Sequence, residues 1–85
     1  MTIQHRAALA LRAAADAVRV EAYAALDEGR TDAYDALCAR ESSLVHASGW
    51  AAVGTPGAAV QLAADAGVVI PDEDDVRTVR VPRRR

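Results

Sequence analysis

The sequence predicts an all-α protein: an antiparallel helical hairpin, a short third helix and an extended C-terminal arm. Three observations predict it. Twenty-one of the 85 residues are Ala, the strongest helix former, and none is Phe. Apolar residues recur at three- and four-residue spacing along two long stretches, as on one face of a helix. Gly29, Gly49 and Gly67 stand where periodic stretches end, the usual place of helix-terminating glycines.

The first helix is expected from Ile3 to Glu28, capped by the Thr2 hydroxyl and closed by Gly29 in the left-handed region. At 100° per residue, Ile3, Ala7, Leu11, Ala14, Val18, Ala22 and Ala25 fall on one stripe. Its eleven-residue recurrence suits nearly straight packing, and its small side chains allow a close neighbour. Leu9, Ala13, Val20 and Ala24, with Tyr23 beside them, make a thinner stripe on the far side. Two apolar sides imply neighbours on both.

After the Gly29-Arg30 connection, Thr31 is expected to cap a second helix whose positive end carries Asp32 and Asp35. Tyr34, Leu37, Cys38, Glu41, Leu44, Val45 and Ser48 share its inner face. Glu41 is the odd member: it is expected either to pair with an Arg of the first helix, such as Arg12 or Arg19, or to lie at the rim of a seam too narrow to bury it. So short a link makes the two helices antiparallel. Gly49 is expected to end the second helix, with Trp50 folding over Val45. Residues 51–54 read as a short apolar piece. Thr55-Pro56 then starts a third helix running to about Ala66, closed by Gly67, with Val60, Leu62, Ala63 and Ala64 facing inward.

The chain changes character after residue 67. Val68, Val69 and Ile70 are β-branched, Pro71 interrupts them, and Asp72-Glu73-Asp74-Asp75 repel one another. Residues 76–81 are again extended in flavour, and Pro82 ends them. The organisation expected is a helical domain over 1–67 and an acidic-then-basic arm over 68–85. A small β-hairpin pairing 67–70 with 76–81 is the alternative, disfavoured because an isolated hairpin is marginal in water.

Size and charge bound the function. A chain of 85 residues makes one small domain of marginal stability alone. Its apolar stock is mostly small, so close helix packing and support from another copy or a larger partner are expected. The single Cys38 excludes an internal disulfide and a multi-Cys zinc site, and suits a reducing compartment. No apolar run of membrane-spanning length and no signal-peptide pattern is present, so a cytoplasmic or virion location is expected, without membrane contact. All ten basic residues are Arg. With so much Ala, that composition fits a GC-rich genome, actinobacterial or phage.

Catalytic candidates are few. Cys38 and His46 lie eight residues apart on one helix, about 12 Å along its axis and about 80° around it, so they cannot form a nucleophile–base pair. Cys38 sits on the apolar face, where a free Cys behaves as a small hydrophobe. Ser42 and Ser43 lie in no hydrolase motif, and His5 and His46 have no metal-ligand spacing. The acidic run 72–75 lacks the alternation of a calcium loop. Trp50 is followed by Ala51-Ala52, so the W-x-G turn of small secreted helical-hairpin proteins is absent. No enzyme activity, cofactor or metal is expected.

The expected role is therefore structural. Leu11, Val18, Ala22 and Trp50 are the candidate interface residues of the helical part, and Val76, Val79 and Val81 those of the arm, which suits strand addition to a partner. Arg77, Arg80, Arg83, Arg84 and Arg85, with no acid among them, are candidate contacts for an acidic partner or for phosphates. No aromatic residue lies among them to stack on bases. The expectation is an assembly protein, a homo-oligomer or a subunit of a larger assembly such as a small phage virion or accessory component. The alternative is a small regulator that binds nucleic acid or a host protein through the Arg-rich tail.

Overall fold

The computed structural model describes residues 1–72. They form three helices in the order α1 (Ile3–Asp27), α2 (Thr31–Val53) and α3 (Pro56–Asp65). The all-α fold and the helical hairpin are as the sequence predicts. The arm residues Val76, Arg77, Val79, Arg80, Val81, Arg83, Arg84 and Arg85, and the second strand of the alternative β-hairpin, lie outside the described residues.

Local chemistry sets the helix ends. The Thr2 hydroxyl accepts a hydrogen bond from the His5 amide (3.1 Å) and starts α1. Gly29, at φ 77°, ends it. There the Gly29 amide donates to the Leu26 carbonyl (3.0 Å) and the Arg30 amide to the Ala25 carbonyl (2.9 Å), the paired bonds of a Schellman motif. The Arg30 carbonyl in turn accepts from the Tyr34 amide (2.9 Å), so one residue closes α1 and opens α2. This corrects the expected cap. Thr31 is already helical, Arg30 occupies the cap position, and no side chain caps α2.

α2 also runs through Gly49 and Trp50 to Val53. A Gly inside a helix costs only about 1 kcal/mol relative to Ala. Here the buried seam continues past it, with Ser48 and Ala51 both buried. The stop comes at Gly54, whose backbone is extended and whose amide still bonds the Trp50 carbonyl (3.0 Å). Pro56 then holds Thr55 in an extended conformation, and the Thr55 hydroxyl accepts from the Ala58 amide (3.1 Å) to begin α3. Gly67, at φ 72°, ends α3 with a second Schellman pair: Gly67 donates to Ala64 (3.0 Å) and Val68 to Ala63 (2.9 Å).

The hairpin is antiparallel. Bonded pairs across α1 and α2 grow further apart in sequence toward its open end, from Arg19–Glu41, 22 residues apart, to Gln4–Gly54, 50 apart. α3 packs against both helices. The core joins Ala7, Leu11, Ala15 and Val18 of α1 to Leu44 and Ala51 of α2 and Ala59 of α3. Ala15 takes the fully buried place expected for Ala14, which is half-buried. In α3 the inward residues are Ala59 and Ala63, with Leu62 and Ala66 half-buried. Val60 and Ala64, expected inside, face out, because each lies one residue, about 100°, beyond the buried row. Val68 and Ile70 pack against the core, and the Arg6 guanidinium donates from Nη1 to the Pro71 carbonyl (3.2 Å). The start of the segment assigned to the arm thus lies along the helices.

Candidate interaction surface

Large and small apolar side chains are distributed unusually. Of ten buried apolar residues, seven are Ala; the others are Leu11, Val18 and Leu44. Leu9, Val20, Tyr23, Leu26, Trp50, Val53, Val60 and Val69 are exposed.

Leu9 and Val20 belong to one strip. Leu9, Ala13, Ala17, Val20 and Ala24 fall within about 80° of arc on α1, opposite Leu11, and all are exposed. Tyr23 and Asp16 lie along one edge of it. The second stripe read from the sequence is therefore present, with Ala17 as a further member, and no element of the described chain covers it. The first stripe behaves differently. Leu11, Val18 and Ala22, expected to meet another chain, are buried inside this one. Trp50 is 68% exposed and does not fold back over Val45, because α2 continues through it. Trp50, Val53 and His46 share the outer side of the last turns of α2.

Polar contacts fix the hairpin's register. Arg19 Nε donates to Glu41 Oε2 at 2.7 Å, with the Glu41 side chain only 20% exposed. Glu41 thus takes one of its two expected partners. This hydrogen bond, and then the charge of Glu41, push the Arg19 guanidinium above its ordinary value. On the same face of α2, a hydrogen bond between Tyr34 and Cys38 holds the Tyr34 phenol above its ordinary value. Cys38 is half-buried on α2, while His46 is exposed. The structure does not bring them together. Ser42 is exposed, and His5 lies on the exposed side of α1.

Sequence reasoning missed a shallow groove of about 270 Å³ between α2 and α3. Arg40, Ser43, Leu44 and Ala47 form one wall, and Leu62, Asp65 and Ala66 the other. The signal was present as i, i+3, i+4, i+7 spacing beside the inner face of α2. The misassigned rotation of α3 concealed the opposite wall. At the N-terminal end of α1, Arg6 Nε is buried and has no hydrogen-bond partner. Among the described residues no cluster of three or more His, Cys, Asp or Glu forms a metal-binding group, and no helix is long and apolar enough to cross a membrane.

Fold and surface together define a class: an all-α protein whose described residues form three helices around an alanine core, with apolar side chains on the outside. Comparison of the chain with protein-family models, with curated proteins and with solved structures finds no match.

Proposed function

We propose that this chain is a non-enzymatic assembly protein that packs through α1 and docks to a partner through its C-terminal arm, as a small phage virion or accessory component would. One observation carries the reading: the chain encloses mostly methyl groups and leaves Leu9, Val20, Tyr23, Trp50 and Val53 outside. Single exposed apolar residues are ordinary. Several on α1, over a core this thin, mark a surface meant to be covered. The separation of half-buried Cys38 from exposed His46 also favours a structural over a catalytic role.

Sedimentation with and without residues 76–85 tests the proposal. Concentration-dependent assembly of the full chain is expected, weakened by the truncation. A chain that stays monomeric at high micromolar concentration and low salt, with or without the tail, sinks the self-assembly form of the reading.

The second reading is a regulator that binds nucleic acid through Arg77, Arg80, Arg83, Arg84 and Arg85. Their clustering without an acid favours it. Duplex binding that falls steeply with salt is its signature, and no binding at low salt removes it.

A further inference from the structure

We propose that the chain's own C-terminal arm docks on the exposed strip of α1, running in the same direction as the helix from Pro71 toward the Gly29 turn. The inference goes beyond the assembly reading, because it concerns the single chain before any partner binds.

The described residues bring the start of the arm to the head of that strip. Arg6 stands on the same line of α1 as Ala13, Ala17 and Ala24, within about 20° at 100° per residue. Its Nη1 donates to the Pro71 carbonyl (3.2 Å), just after Val68 and Ile70 pack against the core. The next residue, Asp72, is exposed. Arg6 thus serves as an anchor that delivers the chain onto the outer side of α1 at its N-terminal end.

Charge selects the arm as the occupant. Beyond Pro71 the sequence places acids first, Asp72 to Asp75, and then Arg77 and Arg80. The outer side of α1 has the opposite order: Arg12 first, then Asp16, Glu21 and Asp27. Arg12, Glu21 and Asp27 are exposed and form no ion pair among the described residues. Glu21 lies along one edge of the strip and Asp16 and Asp27 along the other, so a segment laid down the middle meets carboxylates on both sides.

Length agrees with charge. An extended chain advances about 3.3 Å per residue and a helix about 1.5 Å. Measured from Arg6 and Pro71, the acids reach about 13 Å and pass Arg12 at about 9 Å. Arg77 arrives at about 20 Å, between Asp16 at about 15 Å and Glu21 at about 22 Å. Arg80 arrives at about 30 Å, beside Asp27 at about 31 Å. The same advance brings Val76 and Val79 over the stretch from Ala17 to Ala24, where Val20 is 69% exposed.

Paramagnetic broadening in nuclear magnetic resonance tests this on the full chain. A nitroxide is attached at residue 78, as Thr78→Cys in a Cys38→Ala background. The amides of Ala17, Val20 and Ala24 are expected to lose most of their intensity, and those of Gly57 and Val60 on the outer side of α3 to keep theirs. The signals should recover in high salt, and also at low salt when Glu21→Arg and Asp27→Arg are introduced at their exposed positions. An even loss over the surface, or none on the strip, would overturn the inference. So would broadening that persists through both the salt and the charge reversal. Mixing nitroxide-bearing chains with isotope-labelled chains that lack the nitroxide separates the remaining case. Equal broadening in that mixture means that the arm crosses to another copy, which overturns docking within one chain and supports the assembly reading. Absence of association in sedimentation sinks the assembly reading alone; absence of broadening on the strip sinks this contact alone.

Discussion

Two half-buried polar contacts stand out: Arg19–Glu41, which fixes how α1 and α2 meet more than it stabilises them, and Tyr34–Cys38, which lies within α2. The first is partly open to water, so Glu41→Gln should lower stability by less than about 1 kcal/mol in a urea titration. The second carries a pH signature. The folded state raises the Tyr34 phenol above its unfolded value, so the folded chain keeps that proton longer. The stability this gives is complete below the ordinary tyrosine range, about pH 10, and declines as pH rises through and beyond it. Tyr34→Phe should flatten that part of the stability–pH curve; an identical alkaline decline in the variant would refute the assignment. The apolar residues divide sharply. Leu11 is sealed from solvent, and Leu11→Ala should cost about 2–5 kcal/mol. Trp50→Ala, at an exposed site, should change monomer stability by less than about 0.5 kcal/mol. Reversed magnitudes in chemical denaturation would mean that the core is wrongly placed. At this scale the sequence was informative where periodicity governs: the inner face of α2 was legible, and Arg19 stood among the candidate partners of Glu41. Trp50 was not, because an aromatic residue after a Gly reads equally well as a cap contact or as an exposed helical residue.

The helices show why some boundaries could be read and others could not. Thr2, Gly29, Thr55-Pro56 and Gly67 combine a residue type with a backbone geometry that few alternatives satisfy, and each falls where expected. Gly49 has the same residue type without the geometry. Its φ is not positive, and a Cβ there would meet nothing within 4 Å. What overrides it is tertiary: Ser48 and Ala51 continue the buried row. Gly49→Ala should therefore raise stability by up to about 1 kcal/mol, whereas Gly29→Ala should lower it by about 1–2 kcal/mol, since φ is 77° there. Opposite signs for two Gly→Ala changes, read from thermal midpoints, distinguish an interior position from a terminating one. The α3 error came from phase. In ten residues that include four Ala, composition does not say which row turns inward, and only packing against α1 and α2 decides it.

For the whole molecule, the energetic consequence is a thin margin. Burial stabilises in proportion to apolar area, about 25 cal/mol per Å², and Ala contributes little of it. The segment after α3 then matters more than its length suggests. Val68 and Ile70 add larger side chains to the core, and Pro71 is held by Arg6. A chain ending at Asp72 should melt several degrees above one ending at Gly67; equal melting temperatures would show that this segment adds nothing. The groove between α2 and α3 belongs to this scale too, because it needs two elements to exist, whereas the outer strip of α1 needs only one. That is why a one-dimensional reading found the strip but not its companion.

The Arg6–Pro71 bond also gives the monomer a polarity. It joins residues 65 apart in sequence, next to the place where Gln4 reaches Gly54, so both ends of the described chain emerge at one pole. Among the described residues, the opposite pole carries the tight reversal at Gly29. Cargo fused at residue 1 and cargo fused at residue 72 would leave side by side, some 37 Å, the length of α1, from the bare tip. The described residues thus make a one-ended peg, with residues 1 and 72 both at its head.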